Sequence, residues 1–248
     1  MKGERGKNSM GLKNIAVVLQ QPGYSENIGA AARAMCNMGM DELHVVAARN
    51  FNSETAEKLA THSARHIVQG LQHHTTLAQA LAPFHYVVGT TARLGGERRV
   101  MSPRQAAEQV IPIARNNRVA LLFGREDTGL SNDALKLCHT LIHIPTSGFS
   151  SLNLSQAVMV MCHELFSAAL ADQVSSIAPS PRLAGRYELD GMYDELELFL
   201  NDISLVNPEK SDYWLNHLRR FFNRFQLRAG EVRMIRAMMQ KISLTKDR

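Results

Sequence analysis

The feature that most constrains this chain is a repeated alternation. Short β-branched apolar runs take turns with segments of helical periodicity through the first two thirds of the sequence. Asn14–Gln20 (NIAVVLQ), Glu42–Ala47 (ELHVVA), His85–Thr90 (HYVVGT), Arg118–Phe123 (RVALLF) and Thr140–Ile144 read as strands. Between them, Glu26–Met38, Ser53–Leu59, Thr75–Leu81, Pro103–Ala114, Asn132–Cys138 and Asn153–Leu170 space their apolar residues as helices do. Ser102 before Pro103 is a helix start, with proline at the first position; Pro112 leaves the end of that helix open. The pattern implies an α/β domain with a mostly parallel sheet and helices on both faces. Ligands of such sheets bind beyond the carboxyl ends of the strands, so the loops after Gln20, Thr90, Phe123 and Ile144 are where a site is sought.

The last third is different. Gln173–Arg186 (QVSSIAPSPRLAGR) has linker composition, and strand patterns stop there. Three helical stripes follow: Met192, Leu196, Phe199, Ile203 and Val206; Trp214, Leu218, Phe221, Phe222 and Phe225; and Val232, Ile235, Met239 and Ile242. The expected division is a polar N-terminal tail over 1–13, an α/β domain over 14–172, a linker over 173–189 and a small helical extension over 190–248.

Charge separates the two parts further. The chain carries +5 overall, yet from Ser211 onward nine Lys/Arg face three Asp/Glu, so the body is near neutral. A basic block on a neutral body suits a polyanion, although basic helical faces are also simply solvated. Three scattered cysteines, Cys36, Cys138 and Cys162, fit buried thiols in a reducing cytoplasm better than a disulfide scaffold or a zinc site. No HExxH, GxSxG or P-loop occurs, and no metal is expected. No apolar run is read as a membrane span of about 20 residues, and no secretory signal is read at the N-terminus.

Three segments carry possible chemistry. Asn27-x-Gly29-x-x-x-Arg33 opens a helix after the first strand, where free N–H groups hold anions; close packing of small residues, with Arg33 in a surface ion pair, is the plainer explanation. Phe123-Gly124-Arg125-Glu126-x-x-Gly129-Leu130 runs from a strand into a loop with two glycines and a carboxylate; an ordinary strand-to-helix connection would look similar. Ile144-Pro145 followed by Ser150-Ser151-Leu152-Asn153 ends a strand and feeds a helix, where Ser or Asn would ordinarily only cap.

Together, in this order over some 130 residues, the segments resemble the three motifs of the SPOUT-class (SpoU/TrmH-like) RNA 2′-O-methyltransferases. The tail Asn216-x-Leu218-Arg219-Arg220-x-Phe222-x-Arg224, with Glu231 and Arg236, is similar to the C-terminal extension of the TrmJ-type tRNA methyltransferases of that class. The resemblance implies a C-terminal trefoil knot, a homodimer, a cytoplasmic enzyme and S-adenosylmethionine as methyl donor. It implies a donor site at Thr90, Thr91, Ala92, Gly124, Arg125, Glu126, Ile144, Ser150, Ser151, Leu152 and Asn153. Arg33, Glu126, Ser151 and Asn153 would serve the reaction at a ribose 2′-hydroxyl. RNA would be held by Asn27, Arg33, Arg93, Arg98, Arg99, Arg219, Arg220 and Arg224, with tRNA, modified in the anticodon loop, as the expected substrate. Ribosomal RNA methylation, and a catalytically silent RNA-binding module of the same fold, are the alternatives.

Overall fold

The computed structural model describes residues 12–48, 50–93, 100–147, 152–172, 182–202 and 211–246. Seven parallel strands form one sheet: β1 (Ile15–Gln20), β2 (Leu43–Val46), β3 (Gln72–His74), β4 (Tyr86–Thr90), β5 (Val100–Met101), β6 (Val119–Phe123) and β7 (Thr140–Ile142), in the order β3-β2-β1-β6-β4-β7-β5. The chain winds outward from β1 through β2 to β3, then crosses to build the other half. The sheet therefore has its switch point between β1 and β6, which pair from Ile15↔Val119 to Leu19↔Phe123.

Helices cover both faces. Ile15, Val17 and Leu19, with Val119, Leu121 and Phe123, face α1 (Ser25–Asn37), α2 (Ser53–Gln69), α4 (Pro103–Ala114) and α6 (Leu154–Asp172). Ala16, Val18, Ala120 and Leu122 point the other way, into α3 (Leu77–Leu81) and α5 (Asn132–Lys136). Burial on both faces explains why these strands read as continuous apolar runs and not as alternating ones.

Several boundaries differ from the sequence expectation. Strands β3 and β5 were not expected; each is two or three residues long at a sheet edge and lacks an apolar run. Helix α2 is capped by Asn52, whose side chain accepts from Thr55 N, and not by Ser53; it runs on past a non-helical Thr61 to Gln69. Pro112 lies inside α4 without ending it. Helix α6 is, by length and composition, apolar enough to cross a membrane, which the sequence reading had not granted to any segment. One face of it enters the core: Leu154, Val158, Met161, Cys162 and Leu165 are buried, with α1 and α4 as its packing neighbours.

The extension holds α7 (Arg186–Asp202), α8 (Ser211–Phe222) and α9 (Ala229–Lys246) around Leu189, Met192, Tyr193, Leu196, Leu200, Val232 and Met239. Helix α7 begins inside the stretch expected to be linker. Asp190 sits a turn into the helix and pairs with the buried Arg186 at 2.6 Å. Of the first stripe, Ile203 and Val206 lie outside the described residues. The extension docks at the amino ends of the strands. Leu183 N donates to Asn117 Oδ1 (2.7 Å), Arg186 N to Phe84 O (2.9 Å) and Asn223 Nδ2 to Lys136 O (2.9 Å).

Candidate active site

The site lies at the opposite, carboxyl edge of the sheet. Strands β4, β6 and β7 end side by side there and release the loops at Thr90–Arg93, Gly124–Leu130 and Ile144. With Leu152, Leu154 and Ala157 at the start of α6 they enclose a cavity of about 560 Å³, within the range of cofactor pockets. Its inner wall is apolar, from Phe123, Ile142, Ile144, Leu152 and Leu154, and its rim is polar.

Loop 124–130 owes its shape to its glycines. Gly129 has φ +66°, a left-handed conformation that glycine adopts without penalty. A Cβ on Gly124 would lie 2.1 Å from the Gly129 carbonyl carbon, so only glycine lets the loop close on itself. Arg125 and Asp127 form a two-pronged pair, with both bonds at 2.9 Å. That hydrogen-bonded guanidinium holds the Asp127 carboxyl well below the usual carboxylate range.

Glu126 joins the three motifs. Its Oε1 accepts from Asn27 Nδ2 at 2.7 Å and its Oε2 from Gly23 N at 2.9 Å. Asn27 Oδ1 in turn accepts from Asn153 Nδ2 at 2.9 Å. Asn153 Oδ1 accepts from Ser155 N (2.9 Å) and Ser155 Oγ (2.7 Å), so the same amide also caps α6. The ordinary capping role of Asn153 and its place in the site are thus both realised. A continuous chain of hydrogen bonds, Gly23–Glu126–Asn27–Asn153–Ser155, ties β1, α1, β6 and α6 together at one edge of the cavity.

The other expected residues fall as follows. Thr90, Thr91, Ala92, Gly124, Arg125, Glu126, Ile144 and Leu152 line the cavity. Ser150, Ser151, Arg98 and Arg99 lie outside the described residues. Asn27, expected to face RNA, spends both ends of its amide within the protein. Arg93 arches over the rim and donates to Leu130 O. Arg33 is exposed on α1, two turns or about 9 Å beyond Asn27; it bonds to neither Glu126 nor Asn153, nor does it form the surface ion pair of the plainer reading with any described residue. Arg220 and Arg224 are exposed. Arg219 is half-buried, its guanidinium carbon 5.1 Å above the Tyr193 ring, where α8 packs on α7. Gly23 was missed by the sequence reading. The Pro22-Gly23 turn after β1 was its only local signal, since a backbone N–H leaves no mark in a motif.

Comparison with known proteins agrees with this arrangement. Residues 14–163 match the SpoU rRNA Methylase family, and residues 187–248 match the tRNA methyltransferase TrmJ, C-terminal domain. A tRNA (cytidine/uridine/adenosine-2′-O-)-methyltransferase TrmJ of Pseudomonas aeruginosa is 35% identical, covering 92% of this chain and 93% of its own. A crystal structure of TrmJ from Z. mobilis ZM4 superposes with a TM-score of 0.76 at 31% identity, covering 92% of this chain and 98% of that one. A structure described as giving insight into the 2-OH methylation of C/U34 on tRNA covers 63% of this chain and 97% of its own, with a TM-score of 0.50 at 27% identity.

Proposed function

The chain belongs to the SpoU rRNA methylase family, and from that membership we propose that it transfers a methyl group from S-adenosylmethionine to a ribose 2′-hydroxyl of tRNA, in the anticodon loop. The observation that carries the tRNA reading is that likeness to the TrmJ enzymes extends through the helical extension as well as the catalytic domain. A ribose target also accounts for choosing RNA over DNA.

The cavity suits the donor. Its volume and apolar inner wall fit an adenosine, and the backbone of loops 90–93 and 124–130 offers groups to read it. When bound, S-adenosylmethionine supplies an electrophilic methyl group. The protein's part is then chiefly positioning. Glu126 is held by two donors and holds Asn27; Asn27 holds Asn153 at the start of α6. Asn153 and Ser151 serve the reaction at the ribose in this reading. Arg33 anchors the adjacent phosphate and polarises the hydroxyl, since a guanidinium stays protonated and is a poor base. Arg93, at the rim of the pocket, meets the RNA, and Arg98 and Arg99 are proposed as further RNA contacts.

Three further features belong to the same proposal. The unit over 14–172 is the methyltransferase domain and the helices after it form an RNA-holding extension. The domain carries the C-terminal trefoil knot that the resemblance implies; β7 lying between β4 and β5 in the sheet supports this. The enzyme works as a homodimer in the cytoplasm; Leu170 of α6 is 41% exposed, and the exposed Arg33 is left for a second copy or the RNA to engage.

Incubation with labelled S-adenosylmethionine and total RNA, followed by mapping of the labelled nucleotide, tests the whole. Label on a tRNA ribose is expected. Label confined to ribosomal RNA overturns the substrate, and donor binding without transfer to any RNA overturns the activity.

A further inference from the structure

Helix α8 presents two unlike faces. Leu215 is buried, and Leu218, Phe222 and the Arg219–Tyr193 contact face the extension's core. The opposite face is aromatic and bare. Tyr213 and Trp214 are 61% and 49% exposed; Phe221 and Phe225 are 50% and 51% exposed. These four account for most of the aromatic side chains exposed to that degree among the described residues, the others being Tyr24 and Tyr187. The rings are arranged in order. Tyr213 meets His217 with centroids 4.4 Å apart, at the i, i+4 spacing that keeps side chains on one helix face, and Phe221 meets Phe225, in the turn that follows α8, at 5.0 Å. Exposed Arg220 and Arg224 stand among them.

The charge around these rings identifies the occupant. From Tyr213 to Gly230 there are four arginines and no carboxylate, while α7 carries six carboxylates and one arginine. A second α8 laid on this face would set arginine against arginine. A flat apolar partner bearing negative charge at regular intervals is instead what an unpaired nucleic-acid strand presents: its bases stack on aromatic rings while its phosphates meet arginine. A duplex keeps its bases stacked on each other and has none to offer. We infer that the exposed face formed by α8 and the turn after it, from Tyr213 to Phe225, is a stacking platform for unpaired nucleotides of the RNA substrate, with Arg220 and Arg224 holding the flanking phosphates. This rests on the proposal that the substrate is tRNA.

Trp214 is the chain's single tryptophan, so it reports on this face without labelling. Full-length protein is titrated with an unstructured single-stranded RNA 12-mer, with a perfect RNA duplex of the same length, and with a tRNA transcript. The platform predicts quenching of Trp214 emission by the single strand and the tRNA, and little by the duplex. It also predicts that Phe221→Leu and Phe225→Leu, which keep apolar bulk but lose the ring, each raise KM for tRNA about fivefold or more, with kcat and S-adenosylmethionine affinity retained. Equal quenching by the duplex, or unchanged KM in the ring variants, overturns the platform. If those variants instead turn a dimer into a monomer in sedimentation at unchanged KM, the face belongs to a second copy. If the wild-type protein methylates no tRNA, it is the substrate proposal that falls, while the 12-mer titration still decides the platform.

Discussion

At the scale of single residues, Glu126 concentrates the most consequence. Each carboxylate oxygen accepts from a different element, Asn27 of α1 and the Gly23 turn after β1. Glu126→Gln preserves size but turns an NH₂ toward one of two donors, which breaks the chain of bonds at its centre. The expected result is a fall in kcat of about a hundredfold, the cost of a misplacement near 1 Å, with a much smaller change in donor affinity measured by calorimetry. Equal losses in both would reduce Glu126 to a donor contact. Gly124→Ala should act differently. Its Cβ meets backbone atoms of Gly129 and Leu130 at 2.1–2.4 Å, which cannot rotate away, so the loop must reshape and donor binding itself should be lost. The residue identities of this site were legible in the sequence, but their partners were not. Asn27 looked like a contact for RNA because an amide near a helix start can serve either purpose, and only the fold brings Glu126 and Asn153, both distant along the chain, within reach of it.

At the scale of elements, α1 and α2 show how tightly the site's scaffold is set. A Cβ on Gly29 would lie 2.0 Å from Ala56 O of α2. The small residues of Asn27–Arg33 therefore serve helix packing as well as the motif, with α2 rather than the sheet as the close neighbour. Gly29→Ala should cost about 1–3 kcal/mol of stability in denaturant unfolding and lower activity too, because α1 carries Asn27 and Arg33. Full stability in that variant would refute the close packing. Thiol chemistry tests another element-level feature. Burial pushes the Cys138 and Cys162 thiols up to about 12, so in native protein a thiol reagent should find Cys36 alone, and all three only after unfolding. The elements most legible from sequence were the buried strands, whose apolar runs cannot be confused with a helix at that length. The short edge strands β3 (QHH) and β5 (VM) were illegible because register with β2 and β7, not composition, makes them strands.

At the scale of the whole molecule, the junction between domain and extension should make stability depend on pH. His139 is half-buried near Arg186, stacks on Tyr86 with centroids 4.9 Å apart and accepts from Val87 N. Burial, then the Arg186 charge, push it down to about 3. His74 and His85 are lowered as well, again chiefly by burial. A histidine kept neutral in the folded chain takes up its proton first when unfolded, so stability is lost as pH falls below about 6.5, most through His139. The lowered carboxyls of Glu42, Glu188 and Glu195 act in the same direction, but only further into acid. Melting temperature should therefore decline between about pH 6.5 and 5, and His139→Asn should flatten that decline. A flat profile in the wild-type protein would contradict the neutral ring.

The extension is mounted at one edge of the sheet and the donor cavity opens at the other. The strands between them are about five residues long, so the two are set apart by roughly 17 Å of rigid sheet. If the extension grips RNA as proposed, that spacing works as a calliper. An RNA gripped on the helices meets the reacting groups only if its own fold carries a ribose across the same gap. Selection then falls on the dimensions of the folded RNA, and neighbouring bases need not be read for the correct nucleotide to arrive.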